Sequence, residues 1–323
     1  MLSFWEKTQL INYDLVVLGG GISGMFCALE YRKLNPKARI AILERGLFSN
    51  GASTKNAGFA CFGSLTELMD DANHMDNQSL CKIIQMRIDG LALLRETLGD
   101  QNIDLQFKGG YELFFEKEPN ALNQIDHFND LLRPIFKKKV FHWDNTKIKQ
   151  FGFDHDRVKH IIKNPFEGQI NTGMMMRALR SNVNEQDISF FSNVTLSSFE
   201  KQENKNHLSL SLKNQNFNLN CEKLAVCNNA FASQLFSSLN ISPGRGLILL
   251  TKPISNLKLD GSFHYQEGYY YFRNIKNRIL LGGGRSIDFD TETTTSFGVN
   301  PKIKAQLMED LQNFILPRQK VSL

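Results

Sequence analysis

A two-domain α/β protein, one domain built on a parallel sheet and the other on an antiparallel sheet, is predicted from three features of the sequence. Strand-forming residues 14–18 run through clustered glycines straight into a helical stretch at 22–34, and a second apolar strand follows at 39–44. Helical and polar segments then occupy the middle of the chain, and after Pro243 the pattern is β-rich. At 323 residues and 41% hydrophobic content, the chain is long enough to bury two cores.

The first segment reads as a βαβ unit, with Ile22, Met25, Phe26, Leu29 and Lys33 at three-and-four spacing along its helix. A second helix is expected at 79–98, where Leu80, Ile83, Ile84, Ile88, Leu91 and Leu94 share a stripe. In DLQFKGGYELFF, Gly109 and Gly110 separate two strand-forming runs and predict a two-residue hairpin turn. Helices follow at about 119–136 and 174–179. Short strands at 188–227 form a meander returning to the first sheet through the apolar run LAVC. The runs GLILLTKP, GYYYFR and RILLGGG are strands, and a last helix covers 302–315. The meander joins the first sheet, so the domains are discontinuous: 1–78 with 150–240, and 79–149 with 241–323. A substrate is expected between them.

Composition excludes several function classes. Thirty-eight basic against 33 acidic residues leave +5, too small a surplus, with no long one-sign block, to imply nucleic acid. The cluster Arg133, Lys137, Lys138 and Lys139 reads as a solvated helix end. Cys27, Cys61, Cys81, Cys221 and Cys227 form no CxxC pair, and His74, His127, His142, His155, His160, His207 and His264 lack metal spacing, so no metal is expected. No apolar run approaches bilayer length and no basic-then-apolar leader opens the chain, which makes the cytoplasm the expected compartment. Oligomeric state is not legible.

The chemistry concentrates in DLVVLGGGISG. Gly19, Gly21 and Gly24 stand in GxGxxG spacing between strand and helix, with Gly20, Ile22 and Ser23 filling the loop and first turn. The first glycine permits a sharp turn, Gly21 lets the backbone approach a pyrophosphate, and Gly24 lets helix and strand pack closely. The helix N-terminus adds free N–H groups and partial positive charge. Glu44 closes the second strand, where a carboxylate accepts hydrogen bonds from ribose hydroxyls. The glycines alone do not separate NAD from FAD. The next segment, ERGLFSNGASTKNAGFACFGS, is rich in small and hydroxyl residues suited to run alongside an extended cofactor, which points to FAD.

With these motifs the chain resembles the D-amino acid oxidase/glycine oxidase (DAO) superfamily of FAD-dependent oxidoreductases. The matching residues are the GxGxxG, the Glu44–Arg45 pair, Gly51-Ala52-Ser53 followed by Asn56-Ala57-Gly58, and the segments EGQINTGMMMRAL, PGRGLILLTKP and GYYYFRNIKNRILLGGGR. The resemblance implies a Rossmann-like FAD-binding domain beside an antiparallel-sheet substrate domain. It implies that Glu44 holds the adenosine ribose, Arg45 lies at the adenosine end, Ser53 sits near the pyrophosphate or ribityl chain, and Val194 presents backbone groups to the adenine. Asn56 and Gly58 lie beside the isoalloxazine, and Tyr269 faces the substrate. Tyr269 and Tyr271 point together on a strand and Tyr270 away, while a plain core role for these tyrosines stays open.

Arg285, after three glycines, is a second candidate: its guanidinium either pairs with a substrate carboxylate or forms a salt bridge at a strand end. Cys61 is read as a buried small thiol rather than a point of covalent flavin attachment. The chain departs from the family in two places. A small-residue turn is replaced by Cys227-Asn228-Asn229-Ala230, where asparagine tolerates a left-handed backbone and Asn228 and Asn229 take over the cofactor contact. The sequence also stops at ILPRQKVSL, before the family's final strand–helix unit, which normally supplies a substrate-carboxylate arginine and part of the FAD wall. The expected activity is oxidation of the C–N bond of an amino acid or amine by hydride transfer to flavin N5, with dioxygen as acceptor. A 2-hydroxy acid oxidase or dehydrogenase on the same fold, or a non-catalytic FAD-binding protein, remain open.

Overall fold

In the computed structural model, residues 2–117, 119–201, 208–215, 217–317, 319 and 322–323 are described; His207 lies outside them. The strands, in chain order, are β1 (Asn12–Leu18), β2 (Ile40–Leu43), β3 (Phe59–Ala60), β4 (Gly110–Phe114), β5 (His142–Trp143), β6 (His160–Asn164), β7 (Gly168–Gln169) and β8 (Ser189–Phe191). They continue as β9 (Leu196–Lys201), β10 (Leu208–Leu212), β11 (Asn218–Val226), β12 (Leu247–Leu250), β13 (Ser262–Tyr265), β14 (Tyr270–Ile275) and β15 (Arg278–Gly283). The helices are α1 (Phe4–Gln9), α2 (Ile22–Leu34), α3 (Leu65–His74), α4 (Asn77–Leu98), α5 (Ala121–Phe136), α6 (Thr146–Phe151), α7 (Thr172–Glu185) and α8 (Pro301–Asp310).

Two compact units result, Met1–Asn56 with Thr172–Ser242 and Ala57–Asn171 with Pro243–Leu323. Compared with the boundaries expected from sequence, residues 57–78 and 150–171 fall in the second unit. Pairing decides this: β3 forms a ladder with β7, β6 pairs with β4, and α3 packs Leu65 and Leu68 against Leu80, Ile84 and Phe128.

The sheet of the first unit has the order β8-β2-β1-β11-β10-β9. Its first four strands are parallel and the last two antiparallel. Val16, Val17 and all of β2 are buried, as parallel strands covered on both faces must be. On α2 the face turned inward is Gly24, Met25, Ala28 and Leu29; Phe26 is only half-buried and Lys33 is exposed. Gly24 is the reason, because its lack of a side chain draws the small-residue face onto the strand ends.

In the second unit the sheet runs β12-β15-β14-β13-β4-β6-β5. One face is apolar: Phe263 stacks on Phe272 at 4.6 Å and Tyr265 on Tyr270 at 4.8 Å, cross-strand aromatic pairs that share a core with Ile303, Leu307 and Leu311. The opposite face is polar. Directly paired residues share a face, so the registers place His264 with Tyr271 and Glu112, and Ser262 with Arg273 and Gly110.

The hairpin expected at Gly109-Gly110 does not form. Gly110 opens β4, whose partners are β6 and β13, while Gln106 bridges to Gln169. The glycine is needed for a different reason: a Cβ on Gly110 would come within 2.2 Å of the Glu167 carboxyl carbon. The last helix starts at Asn300, whose side chain accepts from Lys302 N, and passes into a π-helical turn at Leu311–Ile315.

Candidate active site

In the first unit the loop between β1 and α2 opens onto a cleft of about 850 Å³, within the size range of small-molecule sites. Gly19 has φ +110°, and a Cβ there would meet the Cys227 carbonyl oxygen at 2.5 Å. A Cβ on Gly24 would lie 1.9 Å from the Gly19 carbonyl oxygen, so only glycine allows α2 to start this close to the strand end. Gly20 is glycine for packing, with the Phe190 ring 2.4 Å from where its Cβ would be. Gly21 caps α2, and a Cβ on it would sit 2.8 Å from Ser53 Oγ.

Gly19, Gly21 and Ser23 line the cleft; Gly20, Ile22 and Gly24 support it from behind. Glu44, 8% exposed, accepts from Gly20 N at 3.0 Å and from Gly46 N at 2.8 Å. Ser53 Oγ accepts from Ile22 N at 3.0 Å, so the hydroxyl already serves the first turn of α2. Gly51 and Ala52 are exposed on the cleft wall beside it. The Arg45 guanidinium lies 3.5 Å from the Phe231 ring centroid, and both line the cleft. Val194 is also there; its N–H donates to the Glu44 carbonyl at 3.0 Å. Asn229 takes φ +51°, the left-handed backbone expected of an asparagine turn, and Asn228 Oδ1 is buried without a hydrogen-bond partner.

Asn56, Ala57 and Gly58 do not line this cleft. Asn56 donates to the carbonyls of Ala52 and Ser53 and accepts from Thr172 Oγ1. Gly58, at φ +72°, lies in the second unit with Ala57, where the Arg273 side chain donates to both carbonyls. Cys61, read from sequence as a buried thiol, is exposed as a residue, while the protein packed around its sulfur, and then Glu167 and Glu67, push the thiol pKa up.

On the second unit's sheet, Tyr269 is 44% exposed just before β14, Tyr270 is buried in the aromatic core, and Tyr271 is half-buried against Phe59. Arg285 lies 5.2 Å from the Phe289 ring, and Tyr269 meets the same ring edge-on at 6.1 Å, so Phe289 brings the two candidates together. Arg285 Nη2 donates to Thr293 Oγ1 at 3.2 Å, and its Nε is buried with no partner. Among the described residues no carboxylate pairs with it, which removes the strand-end salt bridge as its role. The PGRG turn supports it from below: a Cβ on Gly244 would be 2.9 Å from the guanidinium, and neighbouring Arg245 is locked to buried Glu292 by two 2.8 Å bonds.

Sequence reasoning passed over a buried ionic cluster on the same polar face. His264 Nε2 lies 3.0 Å from Glu167 Oε2, and Glu67 Oε2 is 4.0 Å from its other ring nitrogen. Burial works against charge on the imidazole, but Glu167, and then Glu67 and Glu112, outweigh it and hold the histidine up to about 9. Burial raises Glu112 to about 7 against the hydrogen bonds from Thr66 and the attraction of His264. Only spatial proximity marks this group, since its members come from four distant segments. His155 lies near Asp154 and Asp156, an exposed grouping of sequence neighbours.

A family model for FAD-dependent oxidoreductases (DAO) matches residues 14–322. The chain belongs to the DAO family. It is an FAD-dependent oxidoreductase, with the Rossmann-like FAD domain of that fold in its first unit. Among solved structures it is similar to glycine oxidase from Geobacillus kaustophilus, with 18% identity, a TM-score of 0.72, and coverage of 94% of this chain and 78% of that one. It is similar in fold to L-proline dehydrogenase from P. horikoshii at 12% identity and TM-score 0.70, covering 97% and 80% of the two chains. Iminodiacetate oxidase from Chelativorans sp. BNC1 matches at 13% identity and TM-score 0.70, covering 96% and 81%. No curated protein matches by sequence. Among the described residues no helix is long and apolar enough to cross a membrane.

The first unit's residues fit the dinucleotide of FAD. Two glycines leave room where a side chain would collide, a buried carboxylate ends β2, and the unpartnered Asn228 Oδ1 is an acceptor in the cleft wall. Phe231 and Lys213, also on that wall, were not singled out in the sequence; neither belongs to a motif.

Proposed function

We propose that this DAO-family enzyme oxidises the C–N bond of an amino acid or amine and uses dioxygen as acceptor. The observation that carries the reading is Arg285: a guanidinium with a buried, unpartnered Nε and, among the described residues, no carboxylate paired to it, with Tyr269 exposed and packed on the same Phe289 ring. In this reading Arg285 binds a substrate carboxylate and the Tyr269 phenol donates a hydrogen bond to it, which fixes the substrate carbon. Glu44 accepts from the ribose hydroxyls, Gly19–Gly21 and Ser23 admit the pyrophosphate, Arg45 and Phe231 flank the adenosine, and residues 56–58 lie beside the isoalloxazine. Asn228 and Asn229 complete the cleft wall, with Gly51, Ala52 and Ser53 along the ribityl side. Bound FAD would supply the two-electron acceptor for hydride from the substrate carbon; water would then hydrolyse the resulting iminium to the oxo product with release of ammonia or amine, and dioxygen would take up the two electrons with protons as hydrogen peroxide. No side chain is required as a base, because the chain's task is to orient the neutral amine.

The test is product stoichiometry under air with a panel of amino acids and amines. Peroxide and ammonia (or released amine) in equal amounts are expected from at least one member. Peroxide from a hydroxy acid alone would overturn the reading.

A further inference from the structure

On the polar face of the second unit's sheet, Arg273 is 8% exposed, and its Nη1 donates to three carbonyls: Gly58 at 2.8 Å, Ile170 at 2.9 Å and Ala57 at 3.1 Å. Its Nε reaches the Asn274 carbonyl at 3.3 Å. Among the described residues no carboxylate pairs with this guanidinium. Burial lowers its pKa only to about 10, so it stays charged at neutral pH. A charge removed from water is tolerated only where its surroundings are held in a favourable geometry, and here those surroundings are backbone.

The three carbonyls belong to two segments. Residues 57–58 and residue 170 are also tied by Ile170 N donating to Gly58 O at 2.8 Å and by the two-residue ladder of β3 and β7. In extended chain, successive carbonyls point to opposite sides. The carbonyls of Ala57 and Gly58 nevertheless reach the same nitrogen, which the positive φ of Gly58 permits. So short a ladder does not by itself dictate that conformation.

We infer that Arg273 is a positioning residue for the flavin: its guanidinium holds the Ala57–Gly58 strip in the single conformation along which the isoalloxazine lies. The inference rests on the reading that residues 56–58 lie beside the isoalloxazine. It assigns a role to a residue that touches neither the dinucleotide cleft nor the Tyr269–Arg285 pair.

The test compares the FAD-loaded parent with Arg273→Gln and Arg273→Lys by amide hydrogen exchange, FAD dissociation constant and visible flavin spectrum. In Arg273→Gln, exchange is expected to rise at the Ile170 amide and along 57–60, FAD to bind at least about tenfold more weakly, and the visible band to shift. Lysine keeps the charge with fewer donors and recovers part of each change. Parent-like exchange in Arg273→Gln would show that the strip needs no clamp and would overturn the inference. Faster exchange with parent FAD affinity and spectrum would leave a clamp without a flavin role; the placement of residues 56–58 beside the isoalloxazine would then be wrong. If the glutamine variant does not fold, the lysine variant decides on the same readouts: a partial change in exchange, affinity and spectrum supports the inference, and none overturns it.

Discussion

Glu44 Oε2 accepts the Gly20 amide at 3.0 Å, so the carboxylate that ends β2 pins the glycine loop that follows β1. Its other oxygen holds the Gly46 amide at 2.8 Å. One buried side chain therefore joins the two loops at the rim of the cleft, and in the proposed function its remaining lone pairs accept from the ribose.

Replacing Glu44 by Ala is expected to weaken FAD binding by about 1.5–3 kcal/mol, the usual worth of hydrogen bonds to a charged group. Glutamine, which keeps one acceptor oxygen, should lose less. Fluorescence titration of the FAD-free protein measures both, and unchanged affinity combined with lost turnover would show that Glu44 has been misplaced.

Gly21→Val is expected to abolish FAD retention. The Cβ alone would sit 2.8 Å from Ser53 Oγ, so valine must push Ser53 off the Ile22 amide as well as fill the place of the pyrophosphate. Flavin content per chain after purification gives the answer; a yellow variant at parent stoichiometry contradicts it.

Removing the guanidinium in Arg285→Met should raise KM for carboxylate-bearing substrates by roughly 10- to 100-fold, the loss of a charge-assisted hydrogen bond, and leave FAD content unchanged. Amines without a carboxylate should be little affected. Steady-state kinetics on both substrate classes separates a binding role from a loss of fold, and equal effects on the two classes would remove Arg285 from the substrate site.

Sequence and structure diverge where a residue's role depends on partners far along the chain. The glycine loop was legible because strand, turn and helix are contiguous; Gly24 is constrained within that segment and Gly19 by the adjacent end of β11, whereas Gly20 and Gly21 meet Phe190 and Ser53 from elsewhere in the chain. Gly110 imitates a hairpin turn in sequence, yet the reason for it is Glu167. The bond from the Val194 amide to the Glu44 carbonyl joins two segments 150 residues apart and left no sign in the sequence. Arg273 left no signal, since the three carbonyls that its Nη1 reaches lie at 57, 58 and 170. His264 stood alone among histidines without metal spacing; Glu112 faces it through the sheet register, Glu67 comes from the capping box of α3 and Glu167 from the turn between β6 and β7.

That cluster makes a statement about pH. Folding raises His264 from 6.5 to about 9 and Glu112 from 4.5 to about 7, so the folded chain binds more protons than the unfolded one across this range. The contribution of Glu112 is full below 4.5 and lost as pH rises through 7; that of His264 is full below 6.5 and lost as pH rises through 9. Urea midpoints should therefore fall from pH 6.5 to 9, and His264→Gln should flatten that fall whatever it does to the absolute stability. A parent midpoint that rises over the interval contradicts the account.

The most direct measurement is the absorbance spectrum of the purified, FAD-loaded chain under anaerobic conditions, before and after adding amino acids or amines in parallel with 2-hydroxy acids. Amine oxidation predicts that at least one amino acid or amine bleaches the oxidised flavin band while hydroxy acids leave it intact, with colour returning when air is admitted. Bleaching by hydroxy acids alone, or no bleaching by any amine in a broad panel, would contradict it.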